Sequence, residues 1–175
     1  MEWLSPPSIV SASLRRRARQ TEGVDVRADF STPAGAAEVF AVVADLSSYP
    51  KWLDIVGRAE PTGEVPGDAG PAWLVDLVGS VGPLRRSKRL RMVRSEHVAP
   101  NGTAPGRIRF QRHDLDGRSH SDWILDATVT QSGAEGCRLE VHLHYGGSLW
   151  VPLLDRLLAD EIRSSRERLA ALVAS

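Results

Sequence analysis

Two rhythms of apolar and polar residues run along this chain, and the switches between them mark its elements. Val24, Val26, Ala28 and Phe30 alternate with Asp25, Arg27 and Asp29, the period-two pattern of an edge-like first strand. Ser31-Thr32-Pro33 closes that strand, with Thr32 placed to cap a helix that has proline in its first position. Val39, Phe40, Val42, Val43 and Leu46 then recur at helical spacing, so an amphipathic helix is predicted up to Asp45. Pro50 removes a backbone N–H and drives Tyr49 out of the α region. A bend at Tyr49-Pro50-Lys51-Trp52 therefore leads into a second short helix carrying Trp52, Leu53, Ile55 and Val56. Glu60 to Pro71, rich in Gly and Pro, reads as a short strand and a loop.

From Ala72 the period is two again. Trp73, Val75, Leu77 and Gly79 fall on one face, and Leu74, Asp76, Val78 and Ser80 on the other. Gly82-Pro83 turns the chain, and Lys88 to Arg94 returns with Leu90 and Met92 inward. Arg107 to His113 sets Ile108, Phe110 and Arg112 on one face, and Asp114-Leu115-Asp116-Gly117 is a turn signal. Strands at Ser121–Thr130 and Cys137–Tyr145 make the last hairpin. Pairing Val129 with Leu139 sets Ala127 against Val141, Leu125 against Leu143 and Trp123 against Tyr145. The reverse face then pairs Asp126 with His142 and Thr128 with Glu140, and a one-residue slip would destroy both sets. After Gly146-Gly147, Pro152 opens a long helix to about Val173, striped by Leu154, Leu158, Ile162, Ser165, Leu169 and Val173. Arg156 with Asp160, and Arg163 with Glu167, pair along its solvated side.

Composition narrows the class without naming a task. The 175 residues suit one domain, here 24–175, preceded by a loosely ordered extension, 1–23. Acidic and basic residues balance at 22 each, so no whole-chain field calls for nucleic acid or anionic lipid. The single cysteine, Cys137, cannot form an internal disulfide and fits a reducing cytoplasm. No apolar run approaches the roughly 20 residues of a membrane span. Pro6-Pro7 breaks the apolar start and Arg15–Arg19 follow it, the reverse of a secretory signal.

The run Val43-Ala44-Asp45-Leu46-Ser47-Ser48-Tyr49-Pro50-Lys51-Trp52, with the order of elements around it, resembles the helix-grip superfamily. That group takes in START-like and Bet v 1-like (SRPBCC) domains and bacterial polyketide cyclase/dehydrase and lipid-transport members. The resemblance covers about residues 24–173. It implies an α+β helix-grip fold: a curved antiparallel sheet of six or seven strands around a long C-terminal helix, with two short helices after the first strand. It also implies a cavity for a ligand, but no reaction.

Within such a grip the lining candidates are Trp73, Val75, Leu77, Leu90, Met92, Phe110, Trp123, Leu125, Leu143 and Tyr145, facing Leu154, Leu158 and Ile162. Tyr49 and Trp52 are placed over one end as a gate, with entry between them and the loops Gly79–Arg86 and Asp114–His120. Broad or adaptable side chains of this kind suit an apolar, planar or acyl ligand. Taken one by one, each is equally an ordinary core residue. Arg112 is the one inward cation, expected to reach the rim unless a carboxylate meets it.

Other chemistry finds little support. His142-x-His144 with Asp126 has the composition of a zinc or iron site, but the register puts all three on the outer face, so no metal and no cofactor are expected. No Gly-x-Ser-x-Gly elbow or phosphate loop occurs, and nothing lowers the pKa of Cys137. Arg85, Arg86, Lys88, Arg89, Arg91 and Arg94 place six cations in ten residues. No aromatic residue interleaves with them to stack bases, and Arg89 and Arg91 alternate outward. Weak contact with an anionic membrane through Arg15–Arg19 or Arg85–Arg94 stays open; nucleic acid finds less support.

The sequence thus points to reversible binding of a hydrophobic small molecule such as a lipid, quinone or polyketide-like compound. Two further readings stand beside it: a polyketide aromatase/cyclase using Arg112 and Tyr145 on carbonyls, and a regulatory module that binds a partner or nucleic acid. The lack of a convergent pair of titratable groups leans against catalysis.

Overall fold

The computed structural model describes residues 23–81, 83–133, 136–147 and 164–174. Seven strands dominate: β1 (Val24–Thr32), β2 (Val56–Thr62), β3 (Ala72–Val81), β4 (Leu84–Val98), β5 (Gly106–Arg112), β6 (Trp123–Gln131) and β7 (Cys137–Tyr145). They form one antiparallel sheet in the order β1-β7-β6-β5-β4-β3-β2. From β2 to β7 each strand pairs with its chain neighbour, and β1 returns to pair with β7, leaving β1 and β2 as the edges. Between β1 and β2 lie helix α1 (Ala36–Val43) and a 3-10 helix (Leu46–Lys51). Residues 164–173 are helical as well.

The last hairpin has the predicted register in every pair, from Trp123 opposite Tyr145 to Val129 opposite Leu139. Its inner face and those of β3, β4 and β5 bury Trp73, Val75, Leu77, Leu90, Met92, Ile108, Phe110 and Leu139. Against them pack Val39, Phe40 and Val43 of α1, Leu46, Tyr49 and Trp52 around the 3-10 helix, and Leu169 of the final helical segment. Burying these side chains is the main favourable term, at about 25 cal/mol per Å². Gly106 lets β5 approach α1: a Cβ there would lie 2.6 Å from the Phe40 ring.

Three local expectations change. The cap of α1 is Gly35, not Thr32: the Gly35 N–H donates to Glu38 Oε2 at 3.0 Å, and Thr32 Oγ1 instead accepts from Ala34 N. Gln131 Oε1 of β6 takes the Ala36 N–H at 3.1 Å, so the helix start is tied to the sheet rather than to the preceding turn. The second helix lies earlier than its apolar residues suggest. Asp45 Oδ1 accepts from Ser47 N at 2.9 Å and caps a 3-10 turn that contains Pro50. This local bond competes with continued α-helix; Trp52, Leu53 and Ile55 then form no helix, and Val56 opens β2. The third change concerns Arg91, expected on a solvated outer face but only 4% exposed. The loop between β2 and β3 folds over it. Arg91 Nη2 meets Asp68 Oδ2 at 2.5 Å and donates to the Gly63 carbonyl at 3.0 Å.

The proposed extension 1–23, its Arg15–Arg19 cluster, the helix start at Pro152, Leu154, Leu158, Ile162 and the Arg156–Asp160 pair lie outside the described residues, Gly23 excepted.

Candidate functional site

β5 ends at Arg112, which stands opposite Met92. β4 continues past it toward its hairpin with β3, and this end of the inner face gathers the polar groups. Trp123 opens β6 and Tyr145 closes β7, directly opposite each other, with ring centroids 4.5 Å apart and 41° between planes. Lys88 shares inward parity with Leu90 and Met92. Its Nζ lies 5.8 Å from the Trp123 ring centroid and 5.7 Å from that of Tyr145. Such rings attract a cation through their negative faces. They accept no conventional hydrogen bond from it, and among the described residues the Lys88 ammonium meets no carboxylate or carbonyl. Burial, and next the charge of Arg112, pull its pKa below the usual lysine value, with Asp114 pulling the other way.

Arg112 does point inward, but it does not reach the rim. Its side chain is 7% exposed, with Nε donating to Asp114 Oδ2 at 2.6 Å and Nη1 to the Ser121 carbonyl at 3.1 Å. A buried guanidinium needs a fixed counter-charge. The turn after β5 supplies it, since Asp114 folds back and is itself anchored by the Arg91 N–H at 2.8 Å. A carboxylate of the predicted turn is therefore part of the site. Gly147 completes the wall: a Cβ there would press on Tyr145 Oη and lie 2.7 Å from Ser121 Oγ.

The Tyr49–Trp52 corner lies elsewhere. Both rings are buried, 4.7 Å apart between centroids, and the Tyr49 hydroxyl donates to the Val43 carbonyl at 3.0 Å. Burial, then the charge of Asp45, push that phenol well above its ordinary pKa. Tyr49 meets Phe110 edge-on, as does Trp73, whose Nε1 donates to Asp45 Oδ1 and Ser47 Oγ, each at 3.1 Å. Phe110 stands opposite Arg94, six residues along β4 from Lys88, roughly 20 Å of extended strand. The corner is thus a packed plug remote from the β3–β4 and β5–β6 loops, not a gate beside them.

The remaining candidates sort cleanly. Trp73, Val75, Leu77, Leu90, Met92 and Phe110 are buried on the inner face, and Leu125 and Leu143 are partly buried against it. Leu154, Leu158 and Ile162 lie outside the described residues. On the outer face, His142 Nε2 and His144 Nδ1 both meet Asp25 Oδ1 of the edge strand, at 2.7 and 3.2 Å. Asp126, the carboxylate of that composition, is held by Arg109 at 2.6 Å and lies 3.6 Å from His142 Nδ1, and no metal-binding group of three or more such residues occurs among the described residues. The basic strand is dispersed too. Arg89 pairs with Asp76 at 2.6 Å, Arg91 with Asp68, and Arg94 donates to the Ala44 carbonyl at the end of α1. Lys88 and Asp114 are the site residues that sequence reasoning missed; Lys88 had a signal, two residues before Leu90 on the same face.

Over residues 23–174 the chain matches the family described as polyketide cyclase/dehydrase and lipid transport, and it belongs to that family. No curated protein matches its sequence. A START superfamily protein from Mycobacterium smegmatis is similar in structure, with a TM-score of 0.61 at 16% identity over 86% of this chain and 97% of that one. Human STARD10 gives 0.64 at 12% identity over 96% and 75%. The Zhui aromatase/cyclase from Streptomyces sp. R1128 gives 0.57 at 14% over 87% and 94%. At these identities the likeness is one of fold. No helix among the described residues is long and apolar enough to cross a membrane.

Proposed function

We propose that this protein binds a hydrophobic small molecule, of lipid, quinone or polyketide-like character, between the inner face of its sheet and a long C-terminal helix beginning at Pro152. In this reading residues 24–175 are one domain, and Leu154, Leu158 and Ile162 close the site opposite Trp123 and Leu125. The observation that carries it is the composition of the inner face, where Trp73, Met92, Phe110, Trp123 and Tyr145 come from five different strands. Family membership supports it, since lipid transport is part of the family's description. Each 100 Å² of apolar ligand surface removed from water contributes about 2.5 kcal/mol before the costs of association.

Native mass spectrometry of protein purified from its own host is the first test, with a co-purifying lipophilic compound as the expected result. Trp123→Asp and Leu158→Asp should each abolish its retention while circular dichroism stays native. Retention unchanged in folded variants would sink the proposal. One observation favours a second reading, an aromatase/cyclase-type enzyme: the pKa-lowered Lys88 amine beside Arg112 could hold or deprotonate a carbonyl compound. Turnover of a polyketide-like thioester, lost in Lys88→Met, would establish that reading; absence of turnover with tight binding would leave a carrier.

A further inference from the structure

The inner face is apolar along most of its length and charged at one end, and that asymmetry says what shape of ligand fits. We infer that the occupant is an amphiphile with a monoanionic oxygen head, a carboxylate in the first instance. Its head sits on the Lys88 ammonium beside the paired Trp123 and Tyr145 rings, and its apolar body runs toward Trp73 and Phe110. This rests on the reading of the inner face as a hydrophobic binding site.

Among the described residues three charged side chains converge here, Lys88, Arg112 and Asp114, with the His120 ring 3.8 Å from Asp114. Arg112 is already neutralised, its Nε and Nη2 both on Asp114 Oδ2 at 2.6 and 2.5 Å, and a third N–H spent on the Ser121 carbonyl. Asp114 gives its other oxygen to the Arg91 N–H. One positive charge is left over, and it belongs to Lys88. A single negative charge balances it, whereas a dianionic phosphate monoester would overshoot.

Donor geometry agrees. An ammonium has three N–H donors; the paired rings beside Lys88 satisfy its charge in part, and among the described residues those donors meet no lone pair. A half-buried cation with unused donors at the end of an apolar face is stabilised by a ligand oxygen more than an exposed lysine would be, because little water competes. Neighbouring lysines and arginines do not share this state. Arg89, Arg91 and Arg94 each have an oxygen partner, and Arg85 and Arg86 are exposed. The rings also fix direction, since they mark the head end while the buried Leu90, Met92 and Phe110 continue away from it.

The test compares cis-parinaric acid, a fluorescent fatty acid, with its methyl ester, titrated into the full-length protein near neutral pH. Losing a charge-assisted hydrogen bond costs about ten- to a hundred-fold in affinity, so the acid should bind wild type tighter than the ester by that factor. In Lys88→Met the acid-to-ester ratio should fall to about one, and in Lys88→Arg it should be largely kept. Equal binding of acid and ester by wild type overturns the inference and leaves the hydrophobic site intact, as does a ratio that survives in Lys88→Met. Failure of wild type to bind either compound removes the hydrophobic site and the inference together. Should Lys88→Met not fold, the wild-type ratio and the Lys88→Gln variant still decide.

Discussion

A lysine in a half-apolar site is worth most when its charge can be switched. Lys88 is held below its ordinary pKa by burial and by Arg112, against the pull of Asp114, with the Trp123 ring of β6 and the Tyr145 ring of β7 facing it. The ammonium is present below this lowered value and is lost as pH rises through it. The acid-over-ester preference should therefore begin to decline at a pH below 10.5, where a free lysine is still charged. Lys88→Arg, with a guanidinium that stays protonated above pH 12, should hold the preference through that window. Fluorescence titrations at stepped pH check both statements, and a decline shared equally by the two proteins would assign the titration to another group. This residue was within reach of the sequence, because Leu90 and Met92 were read as inward and Lys88 lies on their parity. Strand parity cannot show that Asp114 turns back to neutralise Arg112, since that depends on the path of a loop.

At the scale of elements, the loops make the difference between a sheet and a site. Gly63–Gly70 covers the outer face of β4 by one buried ion pair. Asp68 takes Arg91 with both oxygens, accepts the Val65 N–H at 2.8 Å and meets His113 Nδ1 at 3.0 Å. The hydrogen bond from Arg91 leads the causes that hold the Asp68 carboxyl well below the usual carboxylate range. That stabilisation is in full force above pH 3.8, the ordinary value, and is lost as pH falls through the lowered one. Asp68→Asn should melt several degrees lower at pH 7, and its melting temperature should change less than wild type's as pH falls below 3.8. Parallel acid dependence in both proteins would refute the assignment. The contact between α1 and β5 offers a second measurement. Gly106→Ala places a methyl group 2.6 Å from the Phe40 ring and 2.8 Å from Pro100, overpacking that costs about 1–3 kcal/mol and is readable by urea denaturation. Neither element was legible beforehand. Period-two alternation sends Arg91 outward, correctly, but says nothing of a loop that then buries it. The Asp45 cap was hidden by the apolar run after Pro50, which looks helical although local side-chain bonds decide otherwise.

For the whole molecule, antiparallel pairing of consecutive strands is what made the sheet readable from one sequence. Each hairpin can be registered from its own two strands, as Trp123–Tyr145 and Val129–Leu139 were, with no long-range information required. The packing of α1 and the 3-10 helix onto that sheet is long-range, and there the reading misplaced the Tyr49–Trp52 pair as a gate. The pair is a plug: its rings brace Phe110 and, through it, Trp73. A plugged end and a charged end make the inner face directional, and a ligand held along it should bind the folded state alone. Mass action then fixes the size of the effect. At a free ligand concentration 100 times Kd, stability rises by about 2.7 kcal/mol. For a chain of this length that corresponds to roughly 5–10 °C in melting temperature. Differential scanning fluorimetry with a dye that does not compete, run against increasing cis-parinaric acid, should show a continuous rise of that order. The rise should be smaller for the methyl ester and absent in Trp123→Asp. A melting temperature that stays flat at ligand concentrations where fluorescence reports saturation would mean that the acid binds the surface and the unfolded chain as well as the grip.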